Sequence, residues 1–251
     1  MLKRAVLDVL PARAFDMLMR VKRKIDTFVN ARQSTEAVFT SIYLKNKWGG
    51  ARGEFCSGSG TSGRVGADRY VDVVAGVFAD QARNGLRVVD LGCGDFQIGR
   101  RLAGLADHYI GVDVVKSLVD HNRVTFGSEK IDFQHLDIVT DPLPEADICL
   151  VRQVLQHLSN AQIAIVLQKL CMYRCVLITE HHPADGPTVV PNVDKVHGAD
   201  IRLYDGSGVY LSEAPFDIPS ARLQLLLEVP ASAVDQEDRT DMIRTYLYRP
   251  T

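Results

Sequence analysis

The chain has 251 residues, 46% hydrophobic and 24% charged, long enough to bury one large core. A net charge of −2 gives no overall attraction to nucleic acid, and no apolar run is long enough to cross a bilayer. The five cysteines (Cys56, Cys93, Cys149, Cys171, Cys175) are an odd number without metal spacing, which points to a reducing, cytoplasmic setting.

Asp8, Pro11 and Arg13 interrupt the apolar stretch that a signal peptide needs. Residues 1–30 carry seven basic side chains against three aspartates. The spacing after Pro11 predicts an amphipathic helix. Phe15, Leu18, Ile25 and Val29 fall on one face, with Met17, Val21 and Phe28 beside it, and Arg13, Asp16, Arg20, Arg23 and Lys24 opposite. Such a helix packs on its own domain or on a second copy, as a homodimer, or touches an anionic membrane surface. Ala37 to Leu44 reads as another helix. The glycine-rich run from Ser57 to Gly63 follows the only tryptophan, Trp48. It reads either as a linker or as a lid over a ligand.

From Val71 the pattern changes. A helix over Val71–Ala82 precedes a buried strand at Leu86–Leu91, a Gly92-Cys-Gly94 turn and a helix over Phe96–Leu105. Further strands are expected at Tyr109–Val115, Ile131–Asp137, Asp147–Arg152 and Val176–Glu180. Helices are expected at Lys116–Phe126 and, behind a Ser159/Gln162 capping box, at Ile163–Leu170. Strands alternating with helices imply a parallel, Rossmann-like doubly wound sheet. Two late strands, Leu223–Val229 and Ile243–Tyr248, suit an antiparallel hairpin on one edge. Residues 1–70 form the extension and lid in this scheme. Residues 71–251 form the main domain, with an insertion at about 183–220.

A strand that enters a helix through Gly-x-Gly leaves a crevice lined by backbone N–H groups. Asp113, at the end of the second strand, is placed to accept hydrogen bonds from two ribose hydroxyls. Two cofactor classes fit. The dinucleotide fingerprint has a third glycine where this chain has Gln97, and Asp95 would repel a pyrophosphate. That weighs against an NAD-binding oxidoreductase. S-adenosylmethionine carries no phosphate. Asp90 would hold its ammonium, the turn N–H groups would face its carboxylate, and Asp137 would accept from the adenine amino group while Ile138 packs on the ring.

The ordered segments Val88–Gly94, Gly111–Asp113, Leu136–Ile138 and Asp147–Leu158 resemble the class I S-adenosylmethionine-dependent methyltransferases. The resemblance implies a seven-stranded sheet and S-adenosylmethionine as cofactor. It implies cofactor contacts from Asp90, Gly92, Cys93, Gly94, Phe96, Asp113, Val114, Asp137, Ile138 and Arg152, and from Ser57 and Gly58 of the lid. The family's third glycine corresponds to Phe96 here. A weaker likeness of scattered short segments points to bacterial methyltransferases acting on sugars, polysaccharides or natural products. It implies O-methylation of a small-molecule acceptor and tilts the glycine-rich run towards a lid.

An alcohol acceptor needs a base, and histidine suits that role at neutral pH. His157 and His181 are the candidates, with His182 as a rival to His181, although His157 also reads as a backbone-bonding residue at a helix start. Tyr43, Trp48, His182, Asn192 and Arg202 are the candidate acceptor contacts. His181, His182, Glu180 and Asp185 together would also suit a divalent metal, but their spacing matches no defined site, and no metal is expected. A fold that keeps the cofactor site without methyl transfer, as a sensor or partner subunit, is the alternative.

Overall fold

The computed structural model describes residues 12–51, 53–58, 64–81, 85–231 and 240–250. Most of the Ser57–Gly63 run and the side chains of Arg13 and Phe15 lie outside them. Helices α1 (Ala12–Asn30), α2 (Thr35–Leu44) and α3 (Arg64–Gln81) precede strand β1 (Arg87–Leu91). α3 begins seven residues before the predicted Val71. Next come α4 (Gly99–Leu102), β2 (His108–Asp113), α5 (Lys116–Phe126), β3 (Ile131–His135), β4 (Ile148–Arg152), α6 (Asn160–Leu170) and β5 (Cys175–His182). β6 (Leu223–Pro230) and β7 (Met242–Tyr248) close the chain.

The seven strands form one sheet in the order β3-β2-β1-β4-β5-β7-β6. β1 to β5 are parallel, and β7 runs antiparallel between β5 and β6. Val88, Val89 and Leu91 are wholly buried, as a central parallel strand covered on both faces requires. One apolar cluster fills each side of the sheet. The strand order reverses between β1 and β4, so the crevice of an open α/β sheet falls beyond the ends of these two strands. The Ser159/Gln162 capping box at α6 is present as expected.

Phe96 does not start a helix. It adopts a left-handed φ of 60°, and α4 begins only at Gly99. The turn therefore swings the Phe96 ring into the core against Tyr109, Phe126 and Phe133. Gly99 makes room for it: a Cβ there would lie 2.4 Å from the Phe96 ring and 3.1 Å from the Asp90 carboxylate. Gly99→Ala is expected to cost about 1–3 kcal/mol, the range for overpacking a core, read as a lower urea midpoint. An unchanged midpoint would mean that the ring shifts aside freely.

The amphipathic helix is present as α1, but its apolar face is not packed on the chain's own core. Met17, Ile25 and Phe28 are 69%, 58% and 62% exposed. The polar face turns inward instead: Asn30 donates to the His197 carbonyl at 3.1 Å, and Arg23 lies over the Tyr204 ring.

Candidate active site

A cavity of about 520 Å³ opens where β1 and β4 diverge, a volume typical of small-molecule sites. Asp90, Gly92, Cys93, Gly94, Asp113, Val114, Asp137, Ile138 and Arg152 line it, as do Ser57 and Gly58. Tyr43, Trp48, His157 and His181 line it too.

The glycine turn is closed on itself. Gly92 N–H and Cys93 N–H both donate to the Val112 carbonyl, at 2.8 and 2.9 Å. Gly94 N–H donates to Asp113 Oδ2 at 3.1 Å, and Asp95 N–H to Ser57 Oγ at 2.7 Å. The expectation that these N–H groups face a ligand carboxylate is thereby corrected: their hydrogen bonds are used to shape the turn. Such a turn has no N–H nest left for a pyrophosphate. Asn122 adds a bond to the Gly94 carbonyl at 2.7 Å.

Three carboxylates stand along the crevice. Asp113 accepts from Val115 N–H at 3.0 Å, in the turn just ahead of α5. Asp137 accepts from Val139 N–H at 2.9 Å, and Lys169 fastens the same loop by donating to the carbonyls of Ile138, Val139 and Asp141. Asp90 accepts from the Tyr109 hydroxyl at 2.9 Å. Burial pushes Asp90 up to about 6, against the opposing pull of that bond and of Arg152. Arg152 brings a half-buried cation to the same end of the cavity, its guanidinium 5.1 Å from the centre of the Tyr70 ring.

The segment from Tyr43 to Gly58 crosses this edge of the sheet. Ser57 fixes it: its N–H donates to Asp95 Oδ2 at 2.9 Å, and its hydroxyl lies 2.9 Å from the Tyr43 hydroxyl. A side chain at Gly94 would strike Ser57, so the glycine is required for this contact. Trp48 packs edge-on to Tyr43 and 5.1 Å from the His157 ring, forming an aromatic wall.

His157 Nδ1–H donates to the Gly198 carbonyl at 3.1 Å, which leaves Nε2 as the acceptor nitrogen, 3.4 Å from the Gln156 side-chain nitrogen that donates to it. Burial, helped by Lys195, pushes His157 down to about 3, so the ring is neutral. Its turn, Leu155–His157, is held from below by Glu180. Glu180 Oε1 accepts from Val154 N–H at 3.2 Å and Leu155 N–H at 2.8 Å, and Oε2 from Gln156 N–H at 3.1 Å. His181 Nε2 is paired with the Asp241 carboxylate.

Four expected site residues stand away from the cavity. Phe96 is in the core for the reason given above. His182 follows His181 on a strand, so it points to the other face, against Tyr210 and Tyr246. Asn192 bonds the carbonyls of Tyr210, Glu213 and Ala214. Arg202 is buried and donates to the carbonyls of Leu155, Gln156, Leu158 and Val193. Asn192 thus ties the insertion to itself, and Arg202 pins it to the His157 turn. The alternative metal grouping is also dispersed: Asp185 pairs with Arg244 at 2.7 Å, and Glu180 is engaged by backbone. Among the described residues, no three His, Cys, Asp or Glu side chains gather as a metal site. Lys169 and Tyr70 escape sequence reasoning, and Glu180 is read there only as a metal ligand, because their roles arise from contacts between segments distant in sequence.

Residues 88–174 match the family model of a methyltransferase domain. Among solved structures, the fold is similar to magnesium protoporphyrin IX methyltransferase (ChlM) of Synechocystis PCC 6803, solved with bound SAM. The identity is 16%, the TM-score 0.51, and 87% of this chain and 99% of that one are covered. It is also similar to the [4+2]-cyclase SpnF, at 16% identity and TM-score 0.55, over 87% of this chain and 98% of that one. No curated protein sequence matches the chain.

Proposed function

We propose that this class I S-adenosylmethionine-dependent methyltransferase O-methylates a small hydroxyl acceptor, a sugar or natural-product intermediate. The observation that carries the reading is that His157 and His181 line the same cavity as Asp90, Asp113 and Asp137. The cavity's polar groups fit the cofactor. Asp113 would accept from the ribose hydroxyls, and Asp137 from the adenine amino group beside Ile138. Asp90 would hold the ammonium, and Arg152, rather than the turn N–H groups, the carboxylate. When bound, S-adenosylmethionine supplies an electrophilic methyl group.

The chain's own residues supply the rest. Asp241 holds the His181 imidazole in one tautomer by engaging Nε2, so His181 takes the acceptor's proton at Nδ1. Neutral His157 packs against Trp48 in the wall of the cavity and positions the acceptor by contact. Trp48 and Tyr43 offer a flat apolar face to the acceptor, and Ser57 keeps their segment over the crevice and water out. The division into residues 1–70, extension and lid, and 71–251, catalytic domain, belongs to the same reading. So do a homodimer through α1 and a cytoplasmic setting, with all five cysteines free thiols. Among the described residues, no helix is long and apolar enough to cross a membrane.

The test is turnover of S-adenosylmethionine carrying an isotopically labelled methyl group against a panel of sugar and phenolic hydroxyls. His181→Asn should lower kcat by about 10²–10⁴-fold, the usual range for a lost base, without changing S-adenosylhomocysteine affinity. His157→Asn should mainly raise KM. Cofactor binding without turnover on any acceptor would favour a cofactor-binding protein that has lost methyl transfer. The similarity to SpnF, named a cyclase, keeps that second reading in play, since fold alone does not fix chemistry.

Asp90 also sets a pH dependence. Its carboxylate form is the one that holds an ammonium, and that form is lost as pH falls through about 6. S-adenosylhomocysteine affinity is therefore expected to fall about tenfold between pH 7 and pH 5. The slope should vanish in Asp90→Asn, and a flat wild-type profile would remove Asp90 from the ammonium site.

A further inference from the structure

The cavity does not end at His157. Lys47, Ala199, Ile201 and Tyr204 line both it and a second groove of about 470 Å³, between α1 and the segment 195–205. Arg20, Arg23 and Lys24 of α1 line one side of this groove, and Lys47 and Lys195 complete its cationic lining.

Carboxylates answer only part of that charge. Asp26 lies 3.4 Å from Lys47, Asp205 lies 3.9 Å from Arg23, and Asp200, Asp205 and Asp194 act on Lys195. Arg20 and Lys24 have no carboxylate partner among the described residues. Lys195 stands at the junction. Its Nζ donates to the Val196 carbonyl at 2.9 Å and to the His157 carbonyl at 3.4 Å, and burial pulls it down to about 8. With three carboxylates already acting on Lys195, the groove's unanswered charge is that of Arg20 and Lys24.

We propose that this groove holds an anionic group of phosphate or diphosphate type on the methyl acceptor, while the acceptor's hydroxyl lies beside His157. The proposal rests on the methyl-transfer reading and narrows it: the acceptor is a phosphate-bearing compound rather than a neutral one. Arginine offers phosphate a planar pair of donors, and lysine a compact charge, so Arg20 and Lys24 suit the two ends of a diphosphate. The groove's junction with the main cavity makes the two sites one path. The face of α1 away from the groove carries the exposed Met17, Ile25 and Phe28. The phosphate therefore comes either on a soluble acceptor or on one carried in a lipid surface, which α1 would approach with its apolar face.

Calorimetry tests this. Protein saturated with S-adenosylhomocysteine is titrated with inorganic pyrophosphate. Wild type should bind it, and Arg20→Glu/Lys24→Glu should lose about tenfold or more in affinity. The double variant Arg100→Glu/Lys130→Glu, on exposed residues elsewhere, should bind pyrophosphate as wild type does. S-adenosylhomocysteine affinity should be the same in all three. Absence of pyrophosphate binding, or equal binding in all three, overturns the proposal. Failure of wild type to bind S-adenosylhomocysteine would instead strike the cofactor reading itself. Co-sedimentation with phosphatidylglycerol vesicles, lost in Ile25→Ser/Phe28→Ser, would support a lipid-borne phosphate. Pyrophosphate binding without sedimentation would support a soluble one.

Discussion

Asp113→Ala is expected to weaken S-adenosylhomocysteine binding by about 1.5–3 kcal/mol, or roughly 10- to 150-fold, the range for hydrogen bonds to a charged group. Two roles converge on this side chain. One oxygen accepts from Gly94 N–H at 3.1 Å and the other from Val115 N–H at 3.0 Å. The same carboxylate lines the cavity where a ribose would lie. Asp113→Asn should fall between wild type and the alanine variant, because one oxygen remains to accept from a backbone N–H. Calorimetry at neutral pH reads both. Affinity unchanged in Asp113→Ala would place the ribose elsewhere.

Glu180→Ala is expected to cost about 3 kcal/mol or more of stability, since three N–H groups, two of them buried, lose their acceptor, at about 1–3 kcal/mol each. Arg202, held against the same turn, would lose the nearby negative charge as well. The denaturant midpoint should fall, and the His157 turn should loosen, lowering methyl transfer more than S-adenosylhomocysteine affinity. Glu180 also contributes a pH dependence. Burial raises it from 4.5 to about 7, outweighing its backbone bonds. The native state therefore binds a proton that the unfolded state has released between those values. That contribution is present in full below about 4.5 and is lost as pH rises through about 7. Glu180→Gln should remove this component of the profile. Identical pH profiles for wild type and Glu180→Gln would show that the carboxyl stays ionised.

The sheet was legible because a central parallel strand must be apolar on both faces, and Val88, Val89 and Leu91 satisfy that without any partner in view. Asp90, Asp113 and Asp137 were legible for a related reason. They end or follow such strands, where the topology forces a shared crevice. The interior of the turn was not legible. Whether its N–H groups face a ligand depends on the Val112 carbonyl and on Ser57, which are distant in sequence. Phe96 read as a helix residue because nothing local announces a left-handed φ. Only Gly99, three residues on, marks the space its ring takes. His181 and His182 differ by strand alternation, and the sequence does not fix which face of β5 meets the cavity. Asn192 and Arg202 looked like acceptor contacts because polar residues in an insertion often are. Their hydrogen bonds go to backbone carbonyls that only the fold brings within reach. The apolar face of α1 was visible as periodicity, but its outward orientation depends on the insertion that its basic face meets.

The central claim is that the crevice is an S-adenosylmethionine site rather than a dinucleotide site. Calorimetric titration of the full-length protein with S-adenosylhomocysteine and, separately, with NAD tests it most directly. The account predicts saturable binding of S-adenosylhomocysteine and none of NAD, because Gly92, Cys93, Gly94 and Asp95 have no N–H left for a pyrophosphate. Tight NAD binding without S-adenosylhomocysteine binding would contradict it.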